Sequence, residues 1–499
     1  MKRNKFSLSH NWLMSFDMGQ LIPMGPPVEV LPGDTLQHAT NLLLRVSPLV
    51  APVMHPCHVR VHHWFVPHRL VWEDWEKFIT GGPDGMDASV FPTLTNATGF
   101  SAGGLGDYYG IPPTGVSTTV SALPFRGYVK IWNEFYRDQD LHTPITEVTA
   151  SGPESPAKYA LQRVSWEKDY FTTARPWTQK GPVVSLPLTG NAPIQGIGWT
   201  AASAPGGTSA SVRETDGTSK TYPISSGLNS AAAFVGKLKG TTGNASPEIY
   251  ADLTNVTAAT INELRLAMAL QRYEEARARY GSRYTEYLRY LGVRSSDARL
   301  QRPEYLGGGK QTIQFSEVLQ TGVTTAGTTA GVGNLKGHGI AAVRSNRYRR
   351  FFEEHGYVHS FISVKPRTVY SQGIARTYNR RVKEDFWQRE LEHIGQQEIH
   401  NKELYAAHSS PDGVFGYQDR YDEYRRFESG VSGEFRSTLN YWHLARDFSS
   451  EPVLNGSFIT STPTNRIFAD QTSDTLLVMA SHSIQARRML ARTGTSFIF

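Results

Sequence analysis

The sequence contains a single cysteine, Cys57, among its 499 residues, so neither an intrachain disulfide nor a cysteine-based zinc site is available to it. One unpaired cysteine suits a reducing compartment. The chain also lacks any run of about 18 apolar residues, the length of a membrane-spanning helix. Its basic start, MKRNKFSLSHNW, is not followed by an apolar segment, as a secretory signal would be. We therefore expect no export signal, no membrane anchor and no disulfide framework.

Charged residues make up 19% of the chain and hydrophobic residues 39%, and both fractions are low for a compact enzyme. The 45 glycines and 28 prolines favour many short strands joined by long connections. The net charge is +6, and the 36 arginines outnumber the 15 lysines. Arginine binds phosphates and carboxylates in a bidentate manner, so the excess fits nucleic-acid contacts and fits ion pairs between protein surfaces equally well.

A phosphate-binding loop is not predicted, although residues 307–310 have the sequence GGGK. A Walker A loop needs a glycine where this chain has Glu304 and a serine or threonine where it has Gln311. Tyr421 and Tyr424 have the residue type of a nucleophile, but no activating neighbour is evident, so we interpret them as packing or contact residues. The sequence gives no positive support for an enzyme, and no cofactor is expected.

A group of histidines suggests a metal site, but strand geometry argues against it. His58 and His62 share a face of a predicted strand about 13 Å apart, too far to bind one ion, and His63 points to the opposite face. The His–apolar–His motif of rolling-circle nucleases is also broken, because position 60 is arginine. We interpret these side chains as ordinary strand histidines; the full group is His55, His58, His62, His63 and His68.

Hydrophobic periodicity gives a coarse secondary structure. Strands are predicted at residues 36–46, 57–66 and 357–364, and helices at 69–79, 125–136 and 261–291. Residues 189–259 are rich in Gly, Ser, Thr and Ala and poor in large apolar residues, as is the shorter stretch 321–337. Such a composition cannot build its own core, so we expect it to be held by neighbouring molecules.

The most informative stretch is residues 415–448, in which nine of 34 residues are aromatic and five are arginine, with no lysine. Rings supply rigid apolar area, and guanidinium groups stack on rings and bind carboxylates. We expect this stretch to contact other copies of the same chain. The contact residues predicted within it are Tyr417, Arg420, Tyr421, Tyr424, Arg425, Arg426, Phe435 and Trp442.

Basic residues are concentrated elsewhere. Residues 343–383 contain ten Lys or Arg against two Glu, and the arginines near Tyr348 are interleaved with rings. That pattern is suited to a phosphodiester backbone, although an intersubunit salt bridge is an equally good interpretation for each residue. The residues predicted to face DNA are Lys2, Arg3, Lys5, Arg344, Arg347, Arg349, Arg350, Arg380, Arg381, Arg487 and Arg488.

Several long segments resemble the major capsid protein of microviruses, small single-stranded DNA bacteriophages, and of their gokushovirus branch in particular. The matching segments keep their order and cover roughly residues 20–188 and 260–450. They include PVEVLPGDTLQH, RVSPLVAPVMHPCHVRVHHWFVPHRLVWEDWEKFITGG, DYFTTARPWTQKGP, RYTEYLRYLGVRSSDARLQRPEYLGG, FGYQDRYDEYR and FRSTLNYWHLA. Residues 189–259 and the C-terminal SIQARRMLARTGTSFIF do not match.

The resemblance implies a mainly β fold, an eight-stranded viral jelly roll (β-sandwich) with long inserted loops and a few helices. It implies that residues 1–188 and 260–499 form the capsid domain, with N- and C-terminal arms and a helical insertion, and that 189–259 is a variable surface protrusion. It also implies a T=1 icosahedral shell of this chain around circular single-stranded DNA, assembled in the bacterial cytoplasm. The further partners implied are a small basic DNA-binding protein, an internal scaffolding protein, a pilot protein and a host cell-surface receptor.

Two alternatives remain at this point. One is a phage protein of rolling-circle replication, which the broken histidine motif and the absent phosphate loop disfavour. The other is a jelly-roll carbohydrate-binding adhesin, whose fold would be the same.

Overall fold

The computed structural model describes residues 3–182, 184, 260–281, 283–319, 321 and 333–492, and the backbone of four short strands between residues 194 and 251. The chain divides into two compact units, one of Met1–Thr178 with Arg277–Phe499 and one of Gln179–Ala276. Most of the predicted insertion 189–259, and most of 321–337, lies outside the described residues. The functional division into 1–188, 189–259 and 260–499 stays a prediction.

The larger unit contains a seven-stranded antiparallel sheet whose central strand, Thr35–Val46, pairs with the C-terminal strand Leu476–Arg488 along twelve registered positions. The N-terminal strands pair with the other edge of Leu476–Arg488, so both ends of the chain meet in one sheet. Its strands are Asn4–Ser7, His10–Phe16, Thr35–Val46, Gln314–Leu319, Leu335–Arg344, Tyr348–Phe351 and Leu476–Arg488.

A second, five-stranded antiparallel sheet is built around the paired strands Cys57–Pro67 and Gly356–Pro366. Along the chain, consecutive strands pass repeatedly from one sheet to the other, as a Greek-key sandwich requires. The strands of this sheet are Ile22–Pro23, Val28–Val30, Cys57–Pro67, Glu304–Thr312 and Gly356–Pro366.

The two sheets pack face to face around one hydrophobic core. Phe16, Leu44 and Val478 of the seven-stranded sheet and Val61 and Ile362 of the five-stranded sheet belong to the same buried cluster. Alternation explains this, because every second side chain of a strand points to the same face. The predicted mainly β sandwich is confirmed. An eight-stranded jelly roll has four strands in each sheet. The sheets of this chain have seven and five strands, because some strands are divided into two shorter segments that pair with the same neighbour.

The three predicted strands are confirmed, with bounds that differ by one or two residues. Among the predicted helices, residues 125–136 form the helix Leu123–Ile131, continued by the π-helical turn Trp132–Tyr136, and its rings pack on the outer side of the five-stranded sheet. The described helices of this unit also include Trp75–Thr80, Leu105–Tyr108, Tyr284–Tyr290, Asn401–Leu404 and Gly456–Ile459.

Two helix predictions were too long. Residues 69–79 are divided between a 3-10 turn, His68–Leu70, and the helix Trp75–Thr80, and the fully buried Trp72 between them donates its indole N–H to Ser151 at 2.8 Å. Residues 261–291 are divided into Ile261–Tyr280 and Tyr284–Tyr290. The break follows from Gly281, whose φ of 100° is outside the helical region.

The rest of the described backbone is arranged in small elements. Thr93–Asn96, Thr118–Ser121 and Pro153–Glu154 form a three-stranded sheet, and Gln396–His400 pairs with Val414–Asp419. In the smaller unit, Ile194–Gln195 pairs with Tyr250–Ala251, and Ser209–Arg213 pairs with Ser219–Pro223. Within the described part of the chain, the helices are too short or too polar to cross a membrane.

Candidate interaction surfaces

The ring-rich stretch 415–448 contributes Tyr424 to an exposed cluster that we call the aromatic patch, formed by Arg380, Phe386, Trp387 and Tyr424. The guanidinium carbon of Arg380 lies 4.3 Å from the centre of the Tyr424 ring and 5.6 Å from that of Phe386. The backbone N–H of Trp387 donates to the Tyr424 hydroxyl at 3.3 Å. The three aromatic residues are each about half exposed, at 49–52%. Exposed rings held together beside an arginine are typical of protein interfaces.

Tyr421 is a buried residue that supports the aromatic patch. It is 3% exposed, and its hydroxyl donates to the carbonyl oxygens of Phe386 at 2.9 Å and Glu384 at 3.3 Å. Its backbone has a φ of 62°, in the left-handed region that non-glycine residues rarely adopt, and its N–H is fixed by the Gln397 side chain at 3.1 Å. Tyr421 is therefore a structural anchor, whereas Tyr424 presents its ring to solvent.

A buried carboxylate organises the next turn. Asp422 is 3% exposed; it accepts an ion pair from Arg426 at 2.8 Å and lies 3.8 Å from Arg425. Burial raises the pKa of Asp422, and the neighbouring Arg426 opposes that rise. Arg425 also lies 3.9 Å from Glu392 and keeps 47% of its side chain exposed, so it remains available to a partner.

An ion-pair network fixes the segment that carries the patch. Arg376 binds Glu403 at 2.9 Å and Glu423 at 3.6 Å, and Arg380 lies 3.4 Å from the same oxygen of Glu423. Burial raises the pKa of Glu403, and Arg376 acts in the opposite direction. Because Arg380 is bound to Glu423 and covers the Tyr424 ring, its charge is used inside this patch; its predicted contact with DNA stays untested.

The other predicted contact residues lie elsewhere on the same stretch. Tyr417 is half-buried and exchanges backbone hydrogen bonds with Arg175, at 2.9 and 2.7 Å. Arg420 donates to the Glu384 carbonyl at 2.7 Å and covers the Tyr421 ring. Phe435 packs on His443, and the Trp442 carbonyl accepts the Met54 N–H at 2.9 Å. Sequence reasoning did not find Phe386 and Trp387, although the same criterion of rings next to arginine would have identified them.

A second surface, which we call the cationic sheet face, is the side of the seven-stranded sheet turned away from the core. Strand register determines its members, since paired residues point the same way. Lys5 is registered with Arg487, and Arg344 with Asn41. No Asp or Glu occupies this side at the described strand positions. Its cationic residues are Lys5, Arg45, Lys336, Arg344, Arg349 and Arg487.

The remaining basic residues are distributed differently. Arg3 lies beside this face, with its guanidinium carbon 5.0 Å from the Phe351 ring centre, and Arg347 is exposed in the adjoining loop. Arg350 forms an ion pair with Glu304 at 2.7 Å, and Arg488 with the buried Asp34 at 2.9 Å. Arg381 is exposed next to the aromatic patch, and Lys2 lies outside the described residues.

The glycine-rich segment considered in the sequence as a phosphate loop, and three of the histidines considered as a metal site, lie on strands of the sandwich. Residues 307–310 lie within the strand Glu304–Thr312. His62 bonds to the Tyr136 hydroxyl at 2.7 Å, while His63 points to the core and bonds to Ser360 at 2.8 Å. Within the described ranges, no group of three His, Cys, Asp or Glu side chains has the geometry of a metal site.

One short motif escaped the sequence reasoning. Residues 99–103, GFSAG, have the spacing of a hydrolase nucleophile turn. That turn requires a strand running directly into a helix, with the serine at the junction. Ser101 instead lies in an exposed loop four residues before the single-turn helix Leu105–Tyr108, so the motif has no structural support.

A β-sandwich with an exposed aromatic patch and a cationic face is suited to association with other molecules. Comparison with known proteins agrees. The family model described as capsid protein (F protein) matches residues 1–498, and the chain belongs to that family. Capsid protein VP1 of Bdellovibrio phage phiMH2K is 38% identical, covering 93% of this chain and 89% of that protein.

Two further relatives are capsid proteins VP1. That of Chlamydia phage 1 is 33% identical over 94% of this chain and 91% of its own length, and that of Spiroplasma virus 4 is 31% identical over 92% and 87%. The expected gokushovirus-like relationship is confirmed. The protein has a structural role as a major capsid protein and is a component of the virion, and neither alternative from the sequence is supported.

Proposed function

We propose that copies of this chain close into a T=1 icosahedral shell around circular single-stranded DNA, with the cationic sheet face turned towards the DNA. One observation carries the proposal: six cationic residues, and no Asp or Glu at the described strand positions, occupy one side of the sheet, with Asp474 at its edge bound to Ser15. Apolar side chains lie between them, among them Leu13, which is 77% exposed, and Met479, registered with Leu13 and 45% exposed. Cations suit phosphates, and apolar area suits the faces of unpaired bases.

Such a surface binds without sequence preference. Its arginines and lysines contact phosphates, which are the same at every nucleotide, so affinity depends on salt and not on base order. That property fits a shell subunit, which must contact whichever part of the genome lies beneath it.

The aromatic patch is proposed as part of the contact between subunits. Its three rings are half exposed and rigidly supported, and Phe427 nearby is 93% exposed. Closed shells are formed from individually modest, repeated contacts, so a patch of this size is sufficient when it is repeated around symmetry axes.

The remaining partners follow from the family relationship alone. They are an internal scaffolding protein, a small basic DNA-binding protein, a pilot protein and a host cell-surface receptor, with assembly in the bacterial cytoplasm. Residues 189–259 are proposed as a protrusion at the threefold axes that contributes to host attachment. Deleting most of this segment should leave assembly intact and reduce adsorption to cells; unchanged adsorption would remove the attachment role.

Charge reversal tests the role of the cationic sheet face. Arg344→Glu combined with Arg487→Glu should give particles that assemble but contain less DNA, because two phosphate contacts per subunit become repulsive. The matched control is Lys77→Glu, whose side chain is 64% exposed and lies on the helix Trp75–Thr80 outside the sheets.

Gradient sedimentation and the ultraviolet absorbance ratio of the particles measure the outcome. In disassembled subunits, the salt dependence of oligonucleotide binding should also become shallower, by roughly one unit per lost contact. Equal DNA content in the double variant, the control and the parent would contradict the proposal.

A further inference from the structure

A polar pocket of about 310 Å³ lies on the outer side of the five-stranded sheet, away from both surfaces described above. Its floor is formed by the strands Cys57–Pro67 and Gly356–Pro366, which contribute Arg60, His62, Ser363 and Lys365. Its walls come from residues 135–139 and 164–168 and from Arg283 and Glu286. A pocket of this volume is at the lower end of the range for small-molecule sites and matches a mononucleotide.

The pocket is rich in cations. Arg60, Arg137, Lys168, Arg175, Arg283 and Lys365 line it, against the carboxylates Asp138 and Glu286. Two further carboxylates pair with its rim: Glu167 binds Arg60 at 2.6 Å, and Asp140 lies 3.4 Å from Arg175. Even with these four carboxylates counted against six cations, the pocket keeps an excess of two positive charges.

The buried carboxylate of Asp138, in the lining of the pocket, is already paired. Asp138 binds Lys168 at 2.6 Å and lies 3.6 Å from Arg175. Burial would raise the pKa of Asp138, but these two cations outweigh burial and hold it at about 2. Asp138 is therefore ionised, and its charge is balanced by Lys168 and Arg175. It does not neutralise Arg60 and Lys365 on the floor of the pocket.

Lys365 is the most informative of those floor cations. It is 8% exposed, and its Nζ donates to the backbone carbonyl of Ser165 at 2.7 Å, while no ion pair to a carboxylate is formed by it within the described residues. Burial and the nearby Arg60 lower the pKa of Lys365 to about 8. A buried ammonium facing other cations is costly unless an anion joins it.

Several donors around the pocket also lack acceptors. Among the described residues, the Nε groups of Arg60 and Arg137 and the indole N–H of Trp166 are buried without a hydrogen-bond partner, and Trp166 is 5% exposed. These three N–H groups are closed off from the open volume of the pocket, so the cations that line it are the groups available to a bound anion. The aromatic side chains of Phe135, Tyr136 and Trp166 stand beside them.

We propose that this pocket binds the phosphate group of a nucleotide-sized ligand, with Lys365 and Arg60 as its principal contacts. Phosphate supplies the negative charge and the several acceptor oxygens that the floor lacks, and guanidinium groups match its geometry. The aromatic wall suits an attached base. The ligand is either a free nucleotide or a nucleotide of a bound strand, since both present the same chemistry. The proposal does not depend on how the sheets face in a shell.

Binding to the purified full-length subunit tests the site, with inorganic phosphate, dAMP and an oligothymidylate as probes in isothermal titration calorimetry. Phosphate and dAMP should bind saturably, and Lys365→Met should weaken both by roughly tenfold or more, the usual loss for a charged hydrogen bond. The matched control Lys383→Met removes the same charge at an exposed site and should bind like the parent. Binding by the parent should also weaken as pH rises through about 8, and Lys365→Met should lose that dependence.

A second variant guards against misfolding. Lys168→Met changes a side chain that is 51% exposed at the pocket rim, so the fold is expected to persist, as circular dichroism would verify, while dAMP affinity falls. Competition between oligothymidylate and dAMP would identify the strand as the source of the nucleotide, and its absence would identify a free nucleotide. No saturable binding of phosphate or dAMP to the parent, or equal affinity in both pocket variants and the parent, would overturn the proposal.

Discussion

At the scale of single residues, Tyr421 and Tyr424 show why composition alone could not assign roles. They lie three positions apart in one ring-rich stretch, yet Tyr421 is 3% exposed and Tyr424 is 49% exposed. Tyr421 has a left-handed backbone, and its hydroxyl bonds to the carbonyl oxygen of Phe386, whereas the Tyr424 ring lies at the surface. The sequence predicted the stretch as a contact surface but could not separate the buried Tyr421 from the exposed Tyr424, because their exposure depends on packing against residues distant in the sequence.

Substitution should separate the two tyrosines. Tyr421→Ala removes a buried ring and two hydrogen bonds and should lower the free energy of unfolding by about 3 kcal/mol or more. Tyr424→Ala removes an exposed ring, so it should change stability by less than about 1 kcal/mol but reduce particle yield. Chemical denaturation of disassembled subunits and gradient sedimentation of particles measure the two effects. Normal yield with Tyr424→Ala, or full stability with Tyr421→Ala, would contradict these assignments.

At the scale of elements, a histidine cluster joins the two sheets inside the sandwich. His38 Nε2 lies 3.2 Å from His482 Nδ1, with the Thr40 hydroxyl within 3.1 Å of both, and the His63 ring lies 4.4 Å from that of His38. Tyr348 bonds to His38 at 3.0 Å, and His10 packs on His482 at 4.9 Å between ring centres. No carboxylate belongs to this cluster as the described residues define it, so the rings are buried as neutral groups.

This cluster predicts acid sensitivity. Burial, reinforced by the neighbouring histidines, lowers the pKa of His38 to about 3 and that of His482 to about 4, from 6.5. As pH falls, the unfolded chain therefore binds these protons before the folded chain does. The free energy of unfolding is highest above pH 6.5 and decreases as pH falls towards 4. The decrease is at most about 1.4 kcal/mol per pH unit for each histidine. Urea denaturation of subunits across this range measures the slope.

A matched pair of variants isolates the contribution of the cluster. His38→Gln should make that slope shallower, whereas His338→Gln, at an exposed position on the neighbouring strand Leu335–Arg344, should not. An unchanged slope in His38→Gln would show that the acid sensitivity arises elsewhere.

Local sequence patterns predicted secondary-structure elements more completely than they predicted which residues share a surface. The alternation of residue types in 57–66 predicted this strand and the face on which His63 lies, because the two faces of a strand follow from its own sequence. The helix 69–79 was predicted too long; at the break, Trp72 is fully buried and bonds to Ser151, 79 residues away, a contact that no local pattern contains. The sequence predicted four members of the cationic sheet face, Lys5, Arg344, Arg349 and Arg487, but could not show that they share one side of a sheet. Lys5 meets Arg487 only through strand register, and Arg45 and Lys336 were missed for the same reason.

At the scale of the whole molecule, each of the two proposed surfaces carries apolar residues that a single chain leaves uncovered. Leu13 and Met479 lie on the cationic sheet face, and Phe386, Trp387 and Phe427 lie on or near the aromatic patch. A monomer gains nothing from such surfaces, whereas a capsid subunit covers them with neighbours or with nucleic acid. The resemblance in the sequence had indicated the family, and we propose a separate surface for each of the two kinds of contact.

The orientation of the sandwich in the particle is the central claim, and an electron cryomicroscopy reconstruction of purified, DNA-filled particles tests it most directly. We expect closed T=1 shells in which Arg344 and Arg487 face the DNA-filled interior and Tyr424 lies against a neighbouring subunit. A shell with the cationic sheet face on its outer surface, or a protein that forms no closed particle, would contradict the account.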